Sequence, residues 1–458
     1  MSDPHLEGQF DTDDARAIRR AVEAGLRDGV PAVKAEVLHD GSDPTFRVWS
    51  DGSEYVVSDG EGEVARDADA RVVIEACDEP GAAIRLAPQT IFEFQNPPLS
   101  LTSDDLTIRG DRSSIIKLAD GQLESNAGDV PEREIAGEHV TFSGWTFDGN
   151  EPNQGATDTF GMRFTTDAKF FTGENMHVLR AVGDGFGEIR GGTSIRGCYI
   201  DECTQDGIDL VNTTDELVVI EDCFIRGYNP IHAWTPDGSI ARVHVFNNHL
   251  IGDNTPALRY GDDKSDNIRD IKIIGNRMEK IDNSNDSKAT LKLGYFDDVS
   301  FKDVRVEHNV IFGRGIDVDE NGYVDPLVVE NNQFRADGSS DYAINVGSGG
   351  NYSFRNNSFE GYGTEINFKA GTTANIAIEH DEGYPISVSN VSNLSDVAKY
   401  NGVYGAGPLG GADAPPSNAE MGDLAVATSA WDPNTDASGE MVVYDGDAWH
   451  AVGTMPNL

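Results

Sequence analysis

The sequence predicts an all-β chain folded as a right-handed parallel β-helix, a solenoid of about ten stacked coils. Two observations carry that prediction. One is an eight-residue segment that returns along the chain: apolar, any, apolar, any, polar, Asn or a small residue, any, apolar. It reads VVIEDCFI, VHVFNNHL, IKIIGNRM, VRVEHNVI, LVVENNQF and YSFRNNSF. The other is its period, since the sixth position falls at Cys198, Cys223, Asn248, Asn276, Asn309, Asn332 and Asn357, spaced 25, 25, 28, 33, 23 and 25 residues apart. Strict two-residue alternation marks a strand with one buried face, and its return at this period sets each strand beside its equivalent one coil away. Weaker copies extend upstream through Asn175, Trp145 and Asp111. Asn suits a tight turn between strands, because it tolerates the left-handed conformation and bonds neighbouring backbone.

Residues 1–64 form the first region, with a predicted helix over Thr12–Leu26 capped by Asp11 or Thr12, then an alternating hairpin, FRVWSDGSEYVVSDG. A solenoid must cover its open strand edges. The segment DADARVVIEAC, Asp67 to Cys77, reads as a short amphipathic helix suited to that task, followed by AAIRLAPQTIFEF and LTIRGDRSSIIKL. A helix, a strand with a Pro turn and then L-T-I-R-G opening the coils resembles the start of pectate-lyase-like proteins and viral tailspikes. The resemblance spans roughly residues 65–390, within a solenoid read over 65–392, and implies the fold, which hosts lyases, hydrolases, epimerases and pure binders. Residues 393–416, with GAGPLGGADAPPSN, read as a linker. Residues 417–458 read as a small β module whose YDGDAWHAVG resembles the terminal modules of phage tail fibres.

Acidic residues number 79 against 35 basic ones, for a formal charge of −44. Such a surface repels itself in dilute buffer, but in molar salt the Debye length falls to about 3 Å and the repulsion is screened. The composition therefore indicates a halophile or its virus. It argues against nucleic acid and anionic membranes as partners. The chain has no long apolar run, and Met1 to Phe10 lacks both the basic and the apolar region of a secretion signal. Cys77, Cys198, Cys203 and Cys223 form no C-x-x-C pair and read as small buried residues.

Chemistry is expected on a second short strand after each Asn turn: DGIDL, PIHAW, ALRY, ATLKL, GIDV, AINV and EINF. The polar residue between apolar neighbours should face solvent, giving a ladder of Asp209, His232, Arg259, Lys292, Asp317, Asn345 and Asn367. The candidate ligand-binding residues are Asp209, His232, Arg259 and Lys292, together with Trp234 and Tyr260 to stack on sugar rings. For catalysis the candidates are Asp184 in VGDGFGE and Asp206 and Asp209 in TQDGIDL. TQDGID resembles the N-T-D-G-I-D stretch of polygalacturonases, with Gln205 departing from it, and that family's later D-D pair, G-H-G and R-I-K are missing. The alternative to a sugar groove is an ordinary sheet face with ion pairs between rungs. One metal pattern stands out: DVDENGYVD matches the calcium-loop pattern D-x-D-x-N-G, with Asp317, Asp319 and Asn321 as ligands and Asp325 in place of the distal Glu.

These features lead to an expected function: a receptor-binding fibre or spike of a virus of halophilic archaea, a homotrimer that engages a host-surface glycan or glycoprotein and joins other virion proteins through its N-terminal region. No cofactor is required, a structural Ca²⁺ aside. The alternatives are a polysaccharide lyase or hydrolase of the same fold and a capsid decoration protein. Two carboxylates converging in one groove would mark the enzyme.

Overall fold

In the computed structural model the described residues run from 44 to 454 with gaps between strands, the longer ones being 124–130, 234–239, 261–267, 282–288, 295–299, 337–341, 380–386, 391–398 and 432–439. The expected helix over Thr12–Leu26 lies outside them.

The fold is the expected all-β parallel solenoid, with three strands per coil, one in each of three sheets. One coil consists of Val218–Glu221, Phe224–Gly227 and Ile231–Ala233, and the next of Ile240–Phe246, His249–Gly252 and Leu258–Tyr260. Ile220 faces Val245, Ile225 faces Leu250 and Ile231 faces Leu258 across the coil boundary. Repetition turns each inward position into an apolar column: Ile195, Ile220, Val245, Ile273, Val306 and Val329 in the first sheet are all essentially inaccessible. Each such side chain contributes about 1.5–3 kcal/mol of burial. Among the described residues the second sheet has 11 strands and the third 12.

The recurring Asn is buried and bonds its own kind. Asn248 accepts the Cys223 N–H at its Oδ1 and donates its backbone N–H to Asn276 Oδ1 at 2.9 Å and its Nδ2 to Ile220 O at 2.9 Å. Asn276, Asn309 and Asn332 repeat both bonds with the next Asn and an earlier carbonyl. Two details correct the sequence reading. The left-handed residue is the one before the ladder Asn, as at Asn247, His308, Asn331 and Asn356. The upstream copy is also one residue off: Asn175 is left-handed, so Met176 takes the slot above Cys198.

The open end of the coils is closed by acids. The helix Ala70–Glu75 is capped by Asp69, and Asp69, Glu75 and Asp78 accept edge N–H groups from Gln95, Ser100, Thr102 and Ser103 at 2.8–3.0 Å. The Tyr55 hydroxyl donates to Ile91 O and accepts from Glu93 N, covering the second sheet. Phe46–Ser50 forms the expected hairpin with Tyr55–Ser58 and also pairs parallel with Ala83–Leu86. The hairpin, which lies in the first region of residues 1–64, thus continues the first sheet. At the other end, Lys399–Tyr400 and Val403–Tyr404 are paired strands within the stretch read as a linker. The first continues the first sheet, and the second leads to an antiparallel module of Leu424–Ala427, Glu440–Tyr444 and Trp449–Thr454, where Trp449 meets Trp431 and Tyr444.

Two predictions follow from these columns and caps. Asn309→Ala removes the acceptor for Asn276 and the donor to Ile273 O, and should lower stability by about 2–3 kcal/mol; an unchanged thermal melt would mean that the column is dispensable. Asp78→Ala should speed amide hydrogen exchange at Thr102 and Ser103 at least tenfold while leaving Asn276 protected. Unchanged exchange there would show that the acid does not close the edge.

Candidate functional site

The outer column of the third sheet is in the expected register. Asp209 faces His232, His232 faces Arg259, and Lys292, Asp317, Asn345 and Asn367 follow on successive rungs. It is less open than alternation implied, because Asp209, Asp317, Asn345 and Asn367 are all buried.

Its lower half is closed on itself. Asp317 receives Lys292 Nζ at 2.6 Å, Lys369 Nζ at 2.9 Å and Asn345 Nδ2 at 2.9 Å, while Asn367 donates to Asn345 Oδ1 and Ser389 to Asn367 Oδ1. Burial works against the Asp317 charge, but the two ammonium groups outweigh it and hold the carboxyl below its usual range. Asp319 and Asn321, the next residues of the calcium pattern, lie outside the described residues. Asp325 stands on the first-sheet strand Tyr323–Glu330, where Asn351 Nδ2 donates to it.

The upper half gathers acids. Asp184 and Asp206 each precede a glycine, and Gly185 N–H donates to Asp206 O as Gly207 N–H donates to Asn229 O, so Asp184, Asp206 and Asn229 hold the same corner in successive coils. Glycine is required there: a Cβ on Gly207 would lie 2.8 Å from Pro230 O, and Gly183 sits at φ +110° with Thr159 O in the way. The corner side chains are linked. Asp206 N–H donates to Asp184 Oδ1 at 3.0 Å, and Asn229 donates its N–H and its Nδ2 to Asp206 Oδ1 at 3.2 and 2.7 Å. His232 Nδ1 lies 2.7 Å from Asp206 Oδ2 and 3.6 Å from Asp209 Oδ1. Among the described residues, Asp209 Oδ1 is buried without a hydrogen-bond partner, and so is Asn229 Oδ1.

Three candidate catalytic residues named from the sequence therefore meet, with His232 from the binding set. Burial, followed by the charges of Asp209 and Asp206, pushes the Asp184 carboxyl well above its usual range. Burial likewise raises Asp209, to about 7, against the pull of His232. A bulge sets Gly187 and Glu188 opposite Asp209, with Glu188 left-handed and paired to Arg163. Asn229 and Glu188 escaped the sequence reading; Asn229 could have been found from its place one coil below Asp206.

Tyr260 corrects the expected aromatic pair: it is wholly buried in the inner column between Ala233 and Leu293, as any direct neighbour of an outward Arg259 must be. Trp234 lies outside the described residues. Outward rings occur on the second sheet, where His177, Tyr199, Phe224 and His249 form a column, with Tyr199 and Phe224 stacked at 4.7 Å. All four cysteines are free and buried, as expected.

The raised Asp209 carboxyl has a sign. The folded state holds that proton more tightly than the unfolded chain, so its contribution to stability is present below pH about 4 and is lost as the pH rises through about 7. In metal-free buffer Asp209→Asn should melt above the wild type at pH 8 and close to it at pH 4. Equal melts at both values would deny the electrostatic conflict.

Among known proteins, the family model described as a right-handed β-helix region matches residues 190–359. No curated protein matches the chain by sequence. Among solved structures, the AlgE4 A-module of the Azotobacter vinelandii mannuronan C-5 epimerase is 12% identical with a TM-score of 0.43, covering 65% of this chain and 93% of that one. The ORF18 protein of Geobacillus virus E2 is 11% identical with a TM-score of 0.43, covering 83% and 72%. Tailspike protein 3 of bacteriophage CBA120 is 12% identical with a TM-score of 0.36, covering 84% and 65%. These neighbours include a phage tailspike and an epimerase module.

Proposed function

We propose that the protein is a tailspike-type appendage of a virus of salt-loving archaea, which binds a host-surface glycan along its third sheet and breaks a glycosidic bond there. One observation carries the reading: Asp184, Asp206, Asp209 and His232 converge on one face, on a polar column that continues into Arg259 and Lys292. Glycan cleavage needs a group to protonate the leaving oxygen and a second to act as base or nucleophile, and this cluster holds candidates for both roles. Arg259, on the rung between His232 and Lys292, can reach hydroxyls or a uronate, while Lys292 is held by Asp317. The formal charge of −44 supports a high-salt setting. The reading includes a homotrimer held to the particle by residues before the capping hairpin. Among the described residues no helix is long and apolar enough to cross a membrane.

The test is incubation in molar NaCl with intact haloarchaeal cells and with their extracted surface polysaccharide, following retention on cells and release of reducing or unsaturated ends. The expected result is retention with released ends, reduced about 100-fold or more in Asp209→Asn. Retention without released ends would leave a receptor binder and retire the cleavage; neither retention nor released ends would sink the whole reading.

A further inference from the structure

We propose that Asp206, Asp209 and His232 form a site for one divalent transition-metal ion of the zinc or manganese kind. It shares residues with the cleavage site proposed above, but binding is read without any glycan.

Geometry is the first support. One oxygen of each carboxylate and a nitrogen of His232 all lie within 4.8 Å of one another. Metal bonds of about 2.0–2.2 Å in a tetrahedral site put neighbouring ligand atoms roughly 3.3 Å apart. The separations of 2.7 and 3.6 Å from His232 Nδ1 to Asp206 Oδ2 and Asp209 Oδ1 bracket that value. A small adjustment of side chains would seat an ion.

The second support is independent of the clustering. Asp209 is 5% exposed and its Oδ1 has no hydrogen bond among the described residues; Asn229 is 2% exposed and its Oδ1 has none among them either, although its Nδ2 binds Asp206. Both orphan atoms are acceptors. A buried acceptor without a donor costs about 1–3 kcal/mol, more when charged, and a cation held between His232 and Asp206 would satisfy Asp209 Oδ1.

A third consideration comes from the same column lower down. At Asp317 the carboxylate is met by Lys292 and Lys369. At Asp209 an imidazole faces the carboxylates instead, and imidazole is a metal ligand as well as a base. Its nitrogen also selects the ion: Ca²⁺ and Mg²⁺ prefer oxygen alone, whereas a mixed nitrogen and carboxylate set suits first-row ions. The site is distinct from the calcium-loop pattern at residues 317–325.

The experiment uses the full chain, stripped with chelator and held in molar NaCl so that weak binding to the acidic surface is screened. ZnCl₂, MnCl₂ and CaCl₂ are titrated by calorimetry, and metal retained after gel filtration is measured by atomic emission. We expect one Zn²⁺ or Mn²⁺ per chain, a raised melting temperature, and at least tenfold weaker binding of Ca²⁺. Asp209→Asn and His232→Gln, each checked for native circular dichroism, should lose affinity at least tenfold, while the exposed-acid control Glu360→Gln keeps it. No retained ion, or equal retention by Asp209→Asn and His232→Gln, overturns the site. Zinc binding without glycan cleavage would uphold the metal and sink the cleavage; cleavage by a stripped protein that takes up no ion would do the reverse.

Discussion

Parallel backbone pairing between equivalent strands of successive coils is the constraint on which the rest of this structure depends. In-register pairing sets each side chain about 4.8 Å from its equivalent one coil away, so every position becomes a column. Whatever occupies a position must tolerate copies of itself. Ile and Val do so by apolar contact. Asn does so because its amide is both donor and acceptor: Asn276 donates to Asn309 Oδ1 and to Val245 O while its own Oδ1 accepts from Asn248. A lone polar residue in that buried slot would be stranded, which is why Cys and Met take over where the Asn column stops.

The same rule shapes the outer column of the third sheet, with two outcomes. Below Arg259 the column runs from a pair of opposite charges, Lys292 and Asp317, into two amides, Asn345 and Asn367, each bonded to the next, and it behaves as a brace. Above it, carboxylates from two kinds of position converge: Asp184 and Asp206 from the corners, Asp209 from the strand. They do so where the stacking is least regular, beside the bulge at Glu188 and the close glycine corners. Regular stacking disperses like charges along the column; the bulge and corners bring them together, at the cost of buried oxygens with no partner among the described residues.

The acidity of the chain is also more than a solvated coat. Asp69, Glu75 and Asp78 each accept amide protons at the open edge of the coils, a task that carboxylates perform well because they accept without donating. Acids thus serve in three ways: as hydrated surface, as caps on the strand edges, and as the cluster at Asp209. Only the first follows from net charge.

Periodicity was legible from residues alone, because the chemistry of a two-residue alternation and its return at a fixed spacing are local facts. They were enough for the coils, the capping helix, the hairpin, the terminal module and the order of the column from Asp209 to Asn367. Tyr260 was misread although alternation already placed it inside, next to an outward Arg259. Other features had no local signal. The left-handed residue lies one place before the conspicuous Asn, and Lys369 joins Asp317 from two coils away. The meeting of Asp184, Asp206, Asn229 and His232 depends on how corners of unequal length stack, with coils of 23 to 33 residues. Alternation says which face a side chain takes; it does not say which side chains at the corners will touch, since that distance exists only once one coil lies on the next.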